Sequence, residues 1–300
     1  GIQVRIEGSV ISESGSDGVE ISNAGLEVLD SEIIDNRAAG INATPTTNDD
    51  FNVQNSLISG NAEGINFRNG WNNTDITIAG NQIVNNTGDG LVLDPGNSES
   101  LRFTETGISG NLISGNRVGL RYGDGLDRVL NLHQNHIANN TAYEIYNENN
   151  WPIVADGNSW GEETTQELLD SKLNLTQIHD TRDDVEIGQV LIRDYFTTSA
   201  VDENPGTPQP FDYSRPGLGQ VVSGSIVEDQ TWSGHVLVTG DVLIEPAATL
   251  TIVPGTLVEF ELLRDTNVSG WWLSRSELIV NGGNLIANGS VDNPIVFTTS

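Results

Sequence analysis

The sequence predicts an all-β solenoid, a coil in which each turn contributes a few short strands stacked on those of the turn before. Three observations lead there. One frame recurs in a single register from Ser9 to Ile145. Apolar residues alternate with period two over short runs, as in Ile65/Phe67, Ile76/Ile78 and Leu91/Leu93. The 33 Gly, 36% hydrophobic and 6% aromatic content suit many short strands and turns better than long helices.

The frame is a small polar residue, an apolar residue two later, Asn three further on, then Gly followed by an apolar residue. It reads Ser31–Ile33–Asn36–Gly40–Ile41, then Ser56–Ile58–Asn61–Gly64–Ile65, Asn81–Ile83–Asn86–Gly90–Leu91 and Asn111–Ile113–Asn116–Gly119–Leu120. A first copy has Ser14 in place of Asn; Asn135–Ile137–Asn140 leads to Ile145 without its Gly, and Asn158–Trp160 begins a last copy. Helical connections of the βαβ kind do not fit between such short strands, whereas stacking at roughly 4.8 Å does. The Asn column is expected to take the left-handed conformation of a tight turn, with its amides bonded from turn to turn. The Gly column is expected to give backbone freedom at a second corner.

These repeats resemble the right-handed parallel β-helix repeats of secreted bacterial proteins, a superfamily that includes pectate lyases, polygalacturonases, epimerases and non-catalytic surface proteins. The stretch Asn158-Ser159-Trp160-Gly161, followed by Asp183-Asp184, Gly188 and Val190–Ile192, resembles an end-piece of such helices. There Thr164-Thr165-Gln166-Glu167 reads as a capping box, and Leu168, Leu169 and Leu173 give one apolar face. The resemblance implies a short helix covering the open end of the coil. The organisation read from the chain is therefore 1–161 repeats, 162–197 capping segment, 198–220 linker and 221–300 a second coil. The linker is marked by Pro205, Pro208, Pro210 and Pro216. In the second coil, Val236/Val238, Val242/Ile244, Leu250/Ile252 and Val258/Phe260 resume the alternation between turns such as Pro254-Gly255, and these resemble the opening turns of another β-helix.

The formal net charge is -29, from 42 acidic and 13 basic residues, and Lys172 is the single lysine. Such a surface repels phosphate backbones and excludes nucleic acid as a partner. It suits an extracellular, salt-tolerant protein or one that binds Ca²⁺ through carboxylates and carbonyls. No cysteine is present, so disulfides and thiolate metal sites are excluded. No run approaches the ~20 apolar residues of a membrane span. With no Met either, the expectation is a secreted or cell-surface segment of a longer protein.

Spacing varies mainly after the Gly-initiated strand, so the segments there should emerge along one edge, where function usually sits. That edge carries Asp49, Asp50, Trp71, Asp75, Asp94, Glu99, Asp124 and Asp127. Asp49, Asp50, Asp124 and Asp127 are the candidate Ca²⁺ ligands, and no cofactor is required. Repeat register makes Arg68 and Asp94 neighbours on adjacent turns, with Arg121 one turn further. Together with Trp71 they form the candidate ligand-binding set, for sugar hydroxyls or a uronate. The plainer reading of Arg68 and Asp94 is a cross-strand ion pair. No catalytic residue is assigned, because glycosidic cleavage needs facing carboxylates, or a metal-bound uronate and a base, and the strand face offers only Asp94. The sequence thus reads as a non-catalytic structural, adhesion or assembly module, partnered by polysaccharide or by neighbouring or identical subunits. A polysaccharide lyase or glycoside hydrolase is the alternative.

Overall fold

A computed structural model of the chain describes residues 3–44, 50–68, 75–94, 102–123, 129–170, 172, 174–184, 186–202, 204–211, 218–261, 275–291 and 293–299. They form two compact units, Gly1–Phe211 and Asp212–Ser300.

The first unit is a coil of three stacked sheets, each turn adding one strand to each sheet in sequence order. The first sheet runs from Gln3–Glu7 to Val190–Leu191, the second from Val10–Ser12 to Asp194–Phe196 and the third from Val19–Ser22 to Ile178–His179. All these pairings are parallel. The expected anchors meet in register: Ile11 with Ile33, then Ile58, Ile83, Ile113, Ile137 and finally Trp160. From Ile33 to Ile137 each is fully buried, worth about 1.5–3 kcal/mol apiece. Branched side chains stacked one turn apart fill the bore as a continuous apolar column.

The expected Asn ladder is present. Asn36 Nδ2 donates to Asn61 Oδ1 (2.9 Å), Asn61 to Asn86 (3.0 Å), Asn86 to Asn116 (3.0 Å) and Asn116 to Asn140 (3.1 Å). Each carboxamide also takes the backbone N–H of the rung before it, as Asn86 Oδ1 does from Asn61. A second ladder, which the sequence reading did not anticipate, runs through Asn81, Asn111, Asn135 and Asn158 at the other end of the second sheet. Both lie inside the coil, where an unpaired amide would be costly.

Two reasons given for these columns need correction. The ladder residues are not left-handed; the residue before each one is, at Asp35 (φ 54°), Gly60 (φ 69°), Asn85 (φ 56°), Gly115 (φ 70°) and Asn139 (φ 57°). That residue turns the corner, and the Asn after it is aimed inward. The Gly column does not sit at positive φ. A Cβ on Gly40 would lie 2.8 Å from Ile58 Cγ2 and 2.9 Å from Asn61 Nδ2 and Gly64 O. Close approach of the next turn, not backbone freedom, demands glycine there.

The helix Glu162–Leu169 starts two residues before the expected capping box, after Gly161, which makes no side-chain cap bond. Thr164 and Glu167 are buried within it instead. Glu167 accepts bonds from Lys172 Nζ (2.9 Å) and from Thr176 N and Oγ1. Leu168 is buried, Leu169 is 55% exposed and Leu173 lies outside the described residues. The helix fills one corner of the coil; beyond it the coil adds one more strand to each sheet. On the second sheet the last parallel strand is then covered by Gln209–Pro210, antiparallel to Asp194–Tyr195, and Phe211 is buried. The proline-marked stretch thus belongs to the first unit as far as Phe211. Pro210 is tolerated because edge strands leave one side of the backbone unpaired.

The second unit is a smaller coil of the same kind. Leu218–Ile226, His235–Ile244, Leu257–Phe260 and Val296–Thr299 form a parallel sheet, to which Leu278–Val280 also pairs. Gln230–Trp232, Thr249–Ile252 and Asn284–Ala287 form another. Its core is Trp232 with Ile226, Val236, Val238, Val242, Ile244, Leu250, Ile252 and Val258. The one described helix has eight residues, so no described helix is long and apolar enough to cross a membrane.

Candidate functional site

The third sheet presents one outward position per turn beyond each buried anchor. Register pairs Glu20 with Asn42, Asn42 with Asn66, Asn66 with Val92, Val92 with Arg121, Arg121 with Tyr146 and Tyr146 with His179. Two residues further along the strands, Arg68 lies in register with Asp94. Polar side chains come to this face because alternation spends every second position on the core.

The centre of the face is a cleft of about 410 Å³, in which Arg68, Asp94 and Arg121 meet as the register requires. Arg68 does not pair with Asp94. Its Nε donates to Asn66 Oδ1 (2.7 Å), whose Nδ2 donates to Glu63 Oε2 (2.6 Å), and its Nη2 lies 3.9 Å from that oxygen.

Arg121 belongs to a network that the sequence reading missed. Its Nε donates to Asp89 Oδ2 (2.7 Å) and its Nη1 to Glu148 Oε1 (3.2 Å). Arg117 Nη2 lies 2.7 Å from Asp89 Oδ1, close enough for an ion pair, although that oxygen accepts no well-aligned hydrogen bond. Asp89 is 4% exposed, so these guanidiniums offset a carboxylate that would otherwise be buried and uncompensated. A signal existed: the residue before the column glycine is acidic at Asp17, Glu63 and Asp89. Asp17 shows what that position reaches, accepting from Ala39 N (2.8 Å) and Asn42 Nδ2 (3.0 Å) on the turn that follows.

One turn on, the face becomes aromatic. Tyr146 and His179 stack with ring centres 4.4 Å apart and planes 8° from parallel, Tyr143 packs 5.2 Å from Tyr146, and Arg121 Cζ stands 5.4 Å over the Tyr146 ring. Trp71, the expected aromatic of the binding edge, lies outside the described residues, as do Asp49, Asp124 and Asp127. Asp50 is exposed, and its carbonyl accepts Leu26 N (2.9 Å). Among the described residues no three His, Cys, Asp or Glu side chains gather as a metal site.

Residues 2–142, just under half of the chain, match the family model of the right handed beta helix region. With the stacked sheets described above, that decides the class. This is a parallel β-helix repeat protein. Neither the curated proteins nor the solved structures contain a match to it.

The β-helix also joins a serine to a histidine. His136 Nδ1 is 2.8 Å from Ser159 Oγ, its register neighbour one turn on. Ser159 is 1% exposed, however, and its Oγ accepts Ala200 N (2.7 Å). Burial lowers the His136 pKa despite the nearby Asp202. An enclosed hydroxyl already committed to a backbone N–H is a structural bridge that no substrate can reach.

Proposed function

We propose that this β-helix is a non-catalytic extracellular module that binds an uncharged stretch of polysaccharide along the outward face of its third sheet. The observation that carries the reading is the pairing of charges beside an aromatic platform. Guanidinium and carboxylate groups held against each other offer donors and acceptors in fixed directions to sugar hydroxyls, while the cluster of Tyr143, Tyr146 and His179 offers aromatic surface beside them. The cleft sets three arginines among Glu63, Asp89, Asp94 and Glu148, so it has no surplus of positive charge for a polyuronate. Catalysis is disfavoured on the same grounds, since Asp89 and Arg121 are tied to each other rather than poised over a bond. The charge of -29 supports a place at a salt-exposed cell surface.

The test is calorimetric titration of the chain with neutral and anionic oligosaccharides, alongside assays for reducing ends and unsaturated sugars with and without Ca²⁺. Binding of a neutral glycan that is lost in Tyr146→Ala, with no turnover, is expected. Turnover that disappears in Arg121→Ala or Asp94→Ala would replace this reading with that of a polysaccharide lyase or hydrolase.

A further inference from the structure

The Asn ladder that begins at Asn36 ends at Asn140, because the helix Glu162–Leu169 occupies the corner where the next rung would stand. Glu144 fills that gap. It holds the position given to glycine on earlier turns, where a side chain is excluded: a Cβ on Gly119 would lie 2.6 Å from Glu144 O and 2.7 Å from Asn140 Nδ2. With no rung above it, Glu144 has room for a side chain. Its carboxylate accepts Asn140 Nδ2, and the backbone N–H groups of Asn139 and Asn140 favour its charged form. It therefore replaces the missing carboxamide as an acceptor, but carries a charge where every earlier rung is neutral.

That charge has no basic partner among the described residues, and Glu144 is 2% exposed. It borders a cavity of about 410 Å³ that Glu162, Glu163, Thr164 and Gln177 also line. Two of the oxygens here have no hydrogen-bond partner: Thr164 Oγ1, on a residue with no exposed surface, and Gln177 Oε1. Glu163 is near enough to oppose the ionisation of Glu144. The cavity is thus lined by a buried carboxylate, an amide oxygen and a hydroxyl, together with the exposed Glu162 and Glu163. The helix start contributes only about half a positive charge, which three carboxylates outweigh.

We propose that this corner is an oxygen-lined cation site of the kind that takes Ca²⁺, with Glu144 as the charged ligand and Gln177 Oε1 and Thr164 Oγ1 as neutral ones. Hard oxygen donors select Ca²⁺ or Mg²⁺ over softer metals, and a roomy, mixed donor set favours Ca²⁺, which accepts irregular coordination. Few carboxylates are brought together here, so a weak site is expected, with Kd on the order of 10⁻⁴–10⁻³ M. Burial pushes the Glu144 carboxyl up to about 7, so protons compete with the ion in mildly acidic solution. The proposal is independent of the glycan reading and of the acidic loops.

The experiment is Ca²⁺ titration of the full chain by calorimetry at about pH 8 and about pH 5.5, at fixed ionic strength, with wild type, Glu144→Gln and Gln177→Ala. Glu144→Gln keeps an acceptor for Asn140 and removes only the charge. The expected result is one saturable site at the higher pH, weakened at least about tenfold in either variant and at the lower pH. Gln177→Ala leaves the ladder untouched and carries the test if Glu144→Gln does not fold. Absence of a saturable site, or a Ca²⁺ affinity unchanged in the variants, would overturn the proposal, the latter by placing the ion elsewhere.

Discussion

In the first unit each corner of the second sheet is bridged from inside by buried polar side chains, whereas no such amide column is seen among the described residues of the second unit. Its corners rest on turn backbone and on hydroxyls. Thr256 Oγ1 caps Val253 O (2.6 Å) beside Pro254-Gly255, with Gly255 at φ 82°. Its nearest counterpart to a ladder, Ser225 to Glu245 to Asn281, lies on the exposed surface. An amide ladder ties each turn to the next by bonds that water cannot replace, and so fixes register as well as satisfying polar groups. A coil without one relies on its turn residues and its apolar column.

The sharpest way to break this comparison is to insert a methyl group where two turns touch. A Cβ on Gly64 would stand 2.2 Å from Gly90 O, so Gly64→Ala must separate two turns. We expect a loss of about 3 kcal/mol or more. Gly234→Ala, in the second unit, meets nothing within 4 Å and is strained only by φ 70°, for about 1–2 kcal/mol. Denaturant midpoints of the two variants test the contrast, and equal losses would mean that close turn contact is not what the Gly column serves.

Next in size is a pH effect confined to the end of the ladder. Burial raises the Glu144 pKa from 4.5 to about 7, with Glu163 adding to the rise and Glu162 lining the same cavity. Between those values the folded chain holds a proton that the unfolded chain has lost, so this group's contribution to stability falls as pH rises from about 4.5 to about 7. The full shift corresponds to about 3 kcal/mol as an upper bound. Glu144→Gln should flatten that part of the stability–pH curve in Ca²⁺-free buffer. A variant curve parallel to wild type would show that Glu144 is not buried as a charge.

The smallest pair compares the two kinds of corner directly. Asn86→Leu removes the carboxamide that accepts from Asn61 N and Nδ2 and leaves Asn116 Oδ1 with only the backbone N–H of residue 86, at a cost of about 1–3 kcal/mol. Thr256→Val removes one hydroxyl that bonds only carbonyls, for about 0.5–1.5 kcal/mol. Unfolding with equal losses in the two would erase the distinction drawn between the coils, and wild-type stability in Asn86→Leu would dismiss the ladder as a source of stability.

Much of the coil was legible because its signals are local. The anchors from Ile11 to Trp160 stand at a fixed place in each copy, and their pairing follows from counting. The candidate site was half legible: register placed Arg68, Asp94 and Arg121 on one face, but gave Arg68 the wrong partner and passed over Asp89 and Arg117. Spacing says which turn a residue occupies and which way its strand alternates. It does not say how far a long side chain reaches.

By itself, then, the sequence determined the turns, their apolar column and the placing of Asn36, Asn61, Asn86, Asn116 and Asn140 in one ladder, because side-chain alternation and repeat spacing are properties of the chain. The tertiary structure decided what depends on the distance between turns. It set glycine at Gly40 and Gly64 for lack of room, moved the left-handed conformation to the residue before each Asn, and brought Asp89 to Arg121 across 32 residues. It also gave Glu144 the place of a missing rung. The reason is geometric: groups one turn apart lie more than twenty residues apart in the chain but about one strand spacing apart in the coil, and only the folded coil shows which of them touch.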